Sequence, residues 1–292
     1  MFFFLWLRKW KTLSLNAINK MHDTTLTLPV RSRIPAKSVA LPVEHGAWGF
    51  LFEPLLAGLL IAPTVDGGFL SVMIVGAFLC RQPLKFVLGD LKSGKRLPRT
   101  AVAIRWLLYF AAIAAVGLIG SIFTAEYRSF IPLVIAAPAA LYLIWQDASR
   151  KSRETVPELL AAAALATTIA SLTLAAGATY VFATAMWLTM TARLIPSVIY
   201  VRNRLRLEKK KEYSKAASLA AHVAAAAVLV GLYLAGLGST LTVVVAGFLL
   251  VRSVSGLSSS RKQMTAKQLG VREVIYGIIY GLSVVLGYYL SV

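Results

Sequence analysis

The chain has 292 residues, 58% of them hydrophobic, and its mean hydropathy of +0.71 is too high for a soluble domain. Its net charge of +19 comes from cations placed between apolar segments, and no cluster of Arg with aromatic residues predicts nucleic-acid binding. The single cysteine, Cys80, excludes an internal disulfide and a CxxC site.

Residues 1–40 are predicted to form an N-terminal arm outside the membrane domain. The segment MFFFLWLRKWK places its apolar residues before its charges, which is the reverse of a secretory signal peptide. Through Ile18 the segment is typical of a helix that lies in the membrane interface. A poorly ordered arm or an overextended start site explains it equally well. Three prolines between Thr24 and Pro42 predict a linker.

Residues 41–292 are predicted to form one all-α membrane domain with about nine transmembrane helices. A helix needs roughly 20 apolar residues to cross a hydrocarbon core about 30 Å thick. The candidate spans are 46–63, 68–89, 101–121, 130–146, 156–175, 178–201, 215–236, 238–254 and 272–291. No remaining segment is long enough to fold as a separate soluble domain.

The cations predict the orientation of this domain. Of the 31 Lys and Arg residues, 26 lie in the arm or in every second loop, and only Arg128 lies in one of the alternate loops. Cationic segments next to spans stay in the cytoplasm. The pattern therefore predicts a cytoplasmic N-terminus and, with nine spans, a C-terminus outside.

Four ionisable residues lie well inside the predicted spans: Glu53, Arg81, Lys85 and Arg193. Such groups cost about 2.5–3.5 kcal/mol each on insertion scales, so they normally face the interior of the bundle and have partners. Glu53 lies eight residues after His45, with Gly49 midway, so all three share one helical stripe. Glu53 either neutralises a buried cation or, with His45, forms part of a cavity wall and takes part in proton transfer.

Arg81 and Lys85 are four residues apart and point the same way from the second span. Arg193 lies at a similar depth in the sixth span, about 13.5 Å above Arg202 at 1.5 Å per residue. If the two spans converge, their cations form a cytoplasm-facing cavity that attracts phosphate or carboxylate head groups. The alternative is that Glu53 and Asp90 neutralise these cations within the protein.

Two segments, PVEHGAWGFLFEPLLAGLL and FLCRQPLKFVLGDLKSGKR, resemble the YwiC-like family of bacterial membrane proteins. The shared features are a Glu-His-Gly-Ala-Trp entry to the first helix and an Arg-Gln-Pro-Leu-Lys stretch in the second. The resemblance runs from about Leu41 to the C-terminus and implies a multi-pass protein of the bacterial plasma membrane. It implies no particular activity.

The layout also resembles, more distantly, the UbiA superfamily of intramembrane prenyltransferases. The resemblance implies a nine-helix bundle in which Asp-rich motifs on helices two and six hold magnesium. Near the first motif's place this sequence has Arg81, Gln82, Lys85 and Gly89, with Asp90 one place off. Near the second it has Arg193, Ser197, Arg202 and Asn203. Guanidinium and ammonium groups repel magnesium, which needs oxygen ligands. The sequence therefore predicts no metal site and identifies no cofactor.

Three functions remain open from the sequence. The first is a protein that binds or modifies an anionic lipid or isoprenoid. A metal-independent UbiA-like transferase belongs to this class, and membrane lipids would be its partners. In it, His45 and Glu53 would be catalytic, and the ligand would be bound by Arg81, Gln82, Lys85, Asp90, Arg193, Arg202 and Asn203. The second is a transporter of a small anion. The third is a non-catalytic scaffold whose buried charges are structural.

Overall fold

The computed structural model describes residues 36–42, 45–94, 97–149 and 154–290. The predicted interfacial helix and most of the predicted linker lie outside these ranges, as does the side chain of His45. The described part of the arm includes a one-turn helix at Ala36–Ala40, called the entry helix below.

The described residues form nine apolar α-helices with no strand among them, which confirms the all-α prediction. Their bounds are α1 His45–Ile61, α2 Val65–Lys92, α3 Pro98–Thr124, α4 Ile131–Ala148, α5 Thr155–Ala175, α6 Tyr180–Glu208, α7 Lys215–Leu234, α8 Thr240–Gly256 and α9 Ala266–Leu290. A 3₁₀ turn, Tyr127–Phe130, precedes α4.

Seven of these helices are long and apolar enough to cross a membrane, namely α2 to α7 and α9. The chain is therefore an integral, multi-pass membrane protein. Helices α1 and α8 are apolar but have only 17 residues each. The count of nine spans accordingly stays a prediction.

Hydroxyl caps and glycine turns fix where several helices begin and end. Thr64, Thr179, Ser214 and Ser239 each accept a hydrogen bond from a backbone N–H three residues later, as N-cap residues do. Gly177 after α5 and Gly236 after α7 adopt positive φ values of 82° and 68°. Only glycine takes this left-handed conformation without steric cost, so both turns can be short.

Helices α2 and α3 pack together at two glycines. A Cβ on Gly117 would overlap with the backbone of Met73, and a Cβ on Gly76 would overlap with the backbone of Ala114. Small residues allow this close approach of membrane helices, which increases dispersion contacts between their backbones. The α2–α3 hairpin is therefore the most closely packed pair that the structure describes.

The main apolar core joins α1, α5, α6, α7, α8 and α9, through residues such as Ala57, Ile169, Met190, Leu229 and Tyr280. Helix α2 packs against α3, α4 and α5, whereas α6 packs against α5, α7 and α9. Within the described ranges α2 and α6 share no packed interface. The expected convergence of the second and sixth spans is therefore not seen.

Large apolar side chains cover the outer surfaces of the bundle. Leu108, Phe123, Val134 and Leu234 are between 65% and 83% exposed, which no soluble domain tolerates over such an area. In a membrane these side chains contact lipid chains. This supports the prediction that membrane lipids are partners of the protein.

Candidate functional site: a cationic cavity at the ends of α6, α8 and α9

Arg81 and Lys85 lie beside a carboxylate from a neighbouring helix. Arg81 donates from Nε to Asp147 Oδ2 at 2.7 Å, and Lys85 Nζ lies 3.7 Å from Asp147 Oδ1. The Asp147 side chain is only 3% exposed, whereas the two cations are about one third exposed. A single buried carboxylate on α4 thus holds both of these cations.

Gln82 and Asp90, two further predicted ligand-binding residues, brace the ends of helices. Gln82 Nε2 donates to the carbonyl of Ser38 in the entry helix at 3.2 Å. Asp90 is paired with Arg99, whose Nη2 lies 2.6 Å from Oδ1, and accepts a hydrogen bond from the Thr100 hydroxyl at 2.7 Å. The Asp90 contacts fasten the end of α2 to the start of α3, and the Gln82 contact joins α2 to the entry helix.

Arg193 lies in the centre of the bundle between two carboxylates. Its Nε is 3.8 Å from Glu53 Oε2 on α1, and its Nη2 is 3.7 Å from Glu273 Oε2 on α9. Nη2 also donates to the backbone carbonyl of Glu273, and Nη1 donates to the Ser197 hydroxyl. A Cβ on Gly277 would overlap with the Glu53 carboxylate, so this glycine makes room for the cluster.

Arg202 and Asn203 also have partners within the chain. Arg202 Nη1 lies 3.1 Å from Glu158 Oε2 on α5. Asn203 Oδ1 accepts a hydrogen bond from the backbone N–H of Ser214, the cap of α7, at 3.1 Å. Both contacts connect the C-terminal end of α6 to its neighbours.

The cations of the second and sixth spans therefore form two clusters around different acids. Arg81 and Lys85 contact Asp147, and Arg193 contacts Glu53 and Glu273. The sequence interpretation counted Glu53 and Asp90 as the nearby acids and overlooked Asp147 and Glu273. These two carboxylates explain how the deep cations are accommodated within the protein.

The structure has a cavity of about 320 Å³ elsewhere, at the ends of α6, α8 and α9 and under the loop that joins α8 to α9. Its cationic lining residues are Arg204, Arg252, Arg261, Lys262 and Arg272. Ser255, Ser258 and Ser260 add hydroxyl groups, and Tyr200 and Tyr276 add aromatic rings. The size is that of a small-ligand site.

Positive charge is in excess around this cavity. Two carboxylates face the five cations: Glu273 in the wall, and Glu208, which pairs with Arg204 at 2.7 Å and lies 3.7 Å from Arg261. The side chains of Lys262 and Arg272 form no ion pair with any described residue. The Nε atoms of Arg204, Arg252 and Arg261 are buried without a hydrogen-bond partner in the described part of the chain. Such donors favour an anion.

Arg252 is held in the cavity wall by several contacts. Its guanidinium lies over two rings, 4.1 Å from the Tyr200 centroid and 5.0 Å from the Tyr276 centroid. Nη1 donates to Glu273 Oε1, and Nη2 lies 3.5 Å from His222 Nε2. The two cation–π contacts and the ion pair restrict the orientation of the guanidinium.

Sequence reasoning missed this cavity because it assigned residues from Arg252 to Arg272 to a cytoplasmic loop. In the structure α8 continues to Gly256 and α9 begins at Ala266, so Arg252 and Glu273 are helical residues that face each other. Glu273 was within the predicted ninth span. An acid at that position indicates a buried cationic partner, and this was the available signal.

Comparison with known proteins gives one match. Residues 41–173, which are 133 of the 292, match the family of YwiC-like proteins. No curated protein and no solved structure matches the chain significantly, so the likeness to the UbiA superfamily rests on sequence layout alone. The matched segment contains α1 to α4 and most of α5, and the chain from residue 41 to residue 173 is thus similar to the YwiC-like family.

Proposed function

We propose that this protein is a member of the YwiC-like family whose cytoplasm-facing cavity binds an anionic group, either phosphoryl or carboxylate. The observation that carries the proposal is the excess of cations around the cavity at α6, α8 and α9. Five Lys and Arg side chains line it, and two carboxylates oppose them. Field lines from like charges concentrate in such a cleft and raise the local concentration of anions.

The lining chemistry suits an oxyanion. Guanidinium groups offer paired N–H donors in a plane, which match two oxygens of a phosphate or carboxylate. The hydroxyls of Ser255, Ser258 and Ser260 can donate to further oxygens. The cavity lies at the membrane surface, so the oxyanion is either the head group of an amphiphile or a soluble anion from the cytoplasm.

The cations proposed from the sequence keep supporting roles here. Arg193 contacts the cavity wall through Glu273, and Arg202 lies two residues after the lining residue Tyr200. Arg81, Lys85 and Asp90 connect α2 to α3 and α4, and Gln82 connects α2 to the entry helix. His45, at the start of α1, and Glu53, in its middle, keep their proposed catalytic role in proton transfer.

A binding experiment with two ligand arms tests the proposal. Inorganic pyrophosphate is titrated into the detergent-purified protein, and vesicles of phosphatidylcholine with or without farnesyl phosphate are used with reconstituted protein. The double variant Arg261→Ala/Lys262→Ala should bind about tenfold or more weakly, since each charged hydrogen bond contributes about 1.5–3 kcal/mol.

The control is Lys209→Ala/Lys210→Ala, which removes the same charge from a loop outside the cavity. It should change the dissociation constant by less than about threefold, because exposed charges act weakly through solvent. Pyrophosphate binding alone would identify a soluble anion, and farnesyl phosphate binding alone would identify a lipid head group. Absence of binding in both arms would reject the proposed function.

We also propose a topology of nine spans, with residues 1–40 as a cytoplasmic arm, residues 41–292 as the membrane domain and the C-terminus outside. Helices α1 and α8 have 17 residues each, the lower limit for crossing a bilayer. In a Cys80→Ala background, Ser38→Cys and Pro63→Cys should react with an impermeant maleimide from opposite sides of α1. Ala235→Cys and Ser259→Cys should do so across α8. If both cysteines of a pair are labelled from the same side, the helix between them does not cross the membrane.

A further inference from the structure

The wall of the cavity contains a carboxylate that competes with any anion for Arg252. We infer that Glu273 is an internal counter-ion which the ligand displaces, so that ligand binding exchanges one oxyanion for another at Arg252. This inference rests on the proposed function and specifies how the same site works. In this scheme Glu273 sets the affinity of the cavity for its anionic ligand and takes no part in metal or proton chemistry.

The geometry around Glu273 shows two separate sets of contacts. Its Oε1 accepts from Arg252 Nη1 on the cavity side. Its Oε2 accepts from the Ser197 hydroxyl at 3.2 Å and lies 3.7 Å from Arg193 Nη2 on the other side. The carboxylate thus lies between two guanidinium groups, one that lines the cavity and one that lies deeper in the bundle.

This arrangement allows Glu273 to release Arg252 and still keep a cationic partner. A buried carboxylate without any partner is strongly unfavourable, which would normally prevent such an exchange. Arg193 and Ser197 remove that obstacle because they hold Oε2 independently of Arg252. The group that faces the other side of Arg193 is Glu53, at 3.8 Å, and it stays in place during the exchange.

Arg252 is suited to be the cation that is exchanged. The rings of Tyr200 and Tyr276 hold its guanidinium at the cavity wall whichever anion is bound. A ligand oxyanion at Arg252 can therefore use the Nη1 donor that Glu273 gives up.

The ligand class follows from the contact that is replaced. Glu273 presents two oxygens on one carbon, and the incoming group must satisfy the same guanidinium and also use Arg261, Lys262 and Arg272 nearby. A phosphomonoester or diphosphate carries more charge and more oxygens than a carboxylate, so it outcompetes Glu273 where a single carboxylate does not. The structure therefore favours a phosphoryl ligand.

The test measures pyrophosphate affinity of the full-length protein and of isosteric variants. Glu273→Gln removes the competing charge, so we expect binding to become at least tenfold tighter. Ser197→Ala removes the hydroxyl that donates to Glu273 Oε2, so Glu273 depends more on Arg252. We therefore expect pyrophosphate binding to be about threefold weaker. Glu158→Gln is the matched control, because it removes a carboxylate that pairs with Arg202 outside the cavity, and it should leave affinity unchanged.

The outcomes separate this inference from the proposed function. Tighter binding by Glu273→Gln, with no change in Glu158→Gln, supports the exchange. Unchanged or weaker binding by Glu273→Gln overturns it, because a carboxylate that only positions Arg252 would lower affinity when removed. If Glu273→Gln does not fold, unchanged or tighter binding by Ser197→Ala overturns the exchange on its own. A wild-type protein that binds no phosphoryl ligand in either arm contradicts the proposed function itself.

Discussion

Replacement of Arg252 by Ala is expected to abolish anion binding to the cavity. Arg252 is 8% exposed and contacts the rings of both Tyr200 and Tyr276, so its removal leaves a buried site without a cation. Loss of a buried, charge-assisted contact of this kind costs about 3 kcal/mol or more, which is at least about a hundredfold in the dissociation constant. Titration with pyrophosphate measures the effect.

The same change should lower stability, because Glu273 loses its partner on the cavity side. Removal of one member of a buried pair costs about 3–5 kcal/mol, and the lower figure applies here since Glu273 keeps Arg193. The double variant Arg252→Met/Glu273→Gln removes both charges and should restore stability while binding stays absent. This combination separates the loss of binding from the loss of folded protein.

Arg272→Ala is the control for the cavity prediction. Arg272 lies in the same wall but is exposed and forms no ion pair with the described residues. We expect a few-fold weaker binding and a change in stability within about 0.5 kcal/mol, as for other surface substitutions. If Arg252→Ala and Arg272→Ala weaken binding equally, Arg252 is not the central cation of the site.

Replacement of Gly117 by Ala is expected to separate the α2–α3 hairpin. The added Cβ would overlap with the backbone N and Cα of Met73 and the carbonyl oxygen of Phe69. Backbone atoms cannot move aside as a side chain can, so the helices must shift and lose contacts along their length. We expect a loss of about 2–3 kcal/mol, at the upper end for overpacked sites.

The matched control for this prediction is Gly247→Ala, in the interior of α8. A Cβ there meets nothing within 4 Å, and Ala is the better helix former by up to about 1 kcal/mol. Thermal midpoints of the detergent-solubilised variants, followed by size-exclusion chromatography, should fall for Gly117→Ala and not for Gly247→Ala. Equal midpoints would show that the hairpin can adjust its spacing.

The helical architecture could be predicted because hydrophobic length and loop charge are local properties of a sequence. Each of the nine predicted spans has a corresponding helix in the structure. The precise ends could not be predicted in the same way. Arg252 and Arg272 were taken as loop residues, because charge indicates the membrane boundary and gives no information about where a helix stops.

The pairing of buried charges could not be predicted, since it depends on which helices pack together. Arg81 is 66 residues from Asp147, and Arg193 is 80 residues from Glu273. No periodicity within one helix indicates such partners. The sequence did indicate that deep cations need partners, and the observed ion pairs agree with that physical requirement.

The matched segment ends at residue 173, and every residue that lines the cavity lies beyond residue 199. The lining of the cavity therefore lies outside the segment that matches the family. A relative could retain the glycine-packed α2–α3 hairpin and the ion pair of Asp90 with Arg99 while acquiring different side chains on α6, α8 and α9. Proteins that share this N-terminal segment would then be expected to insert in the membrane alike and to recognise different molecules.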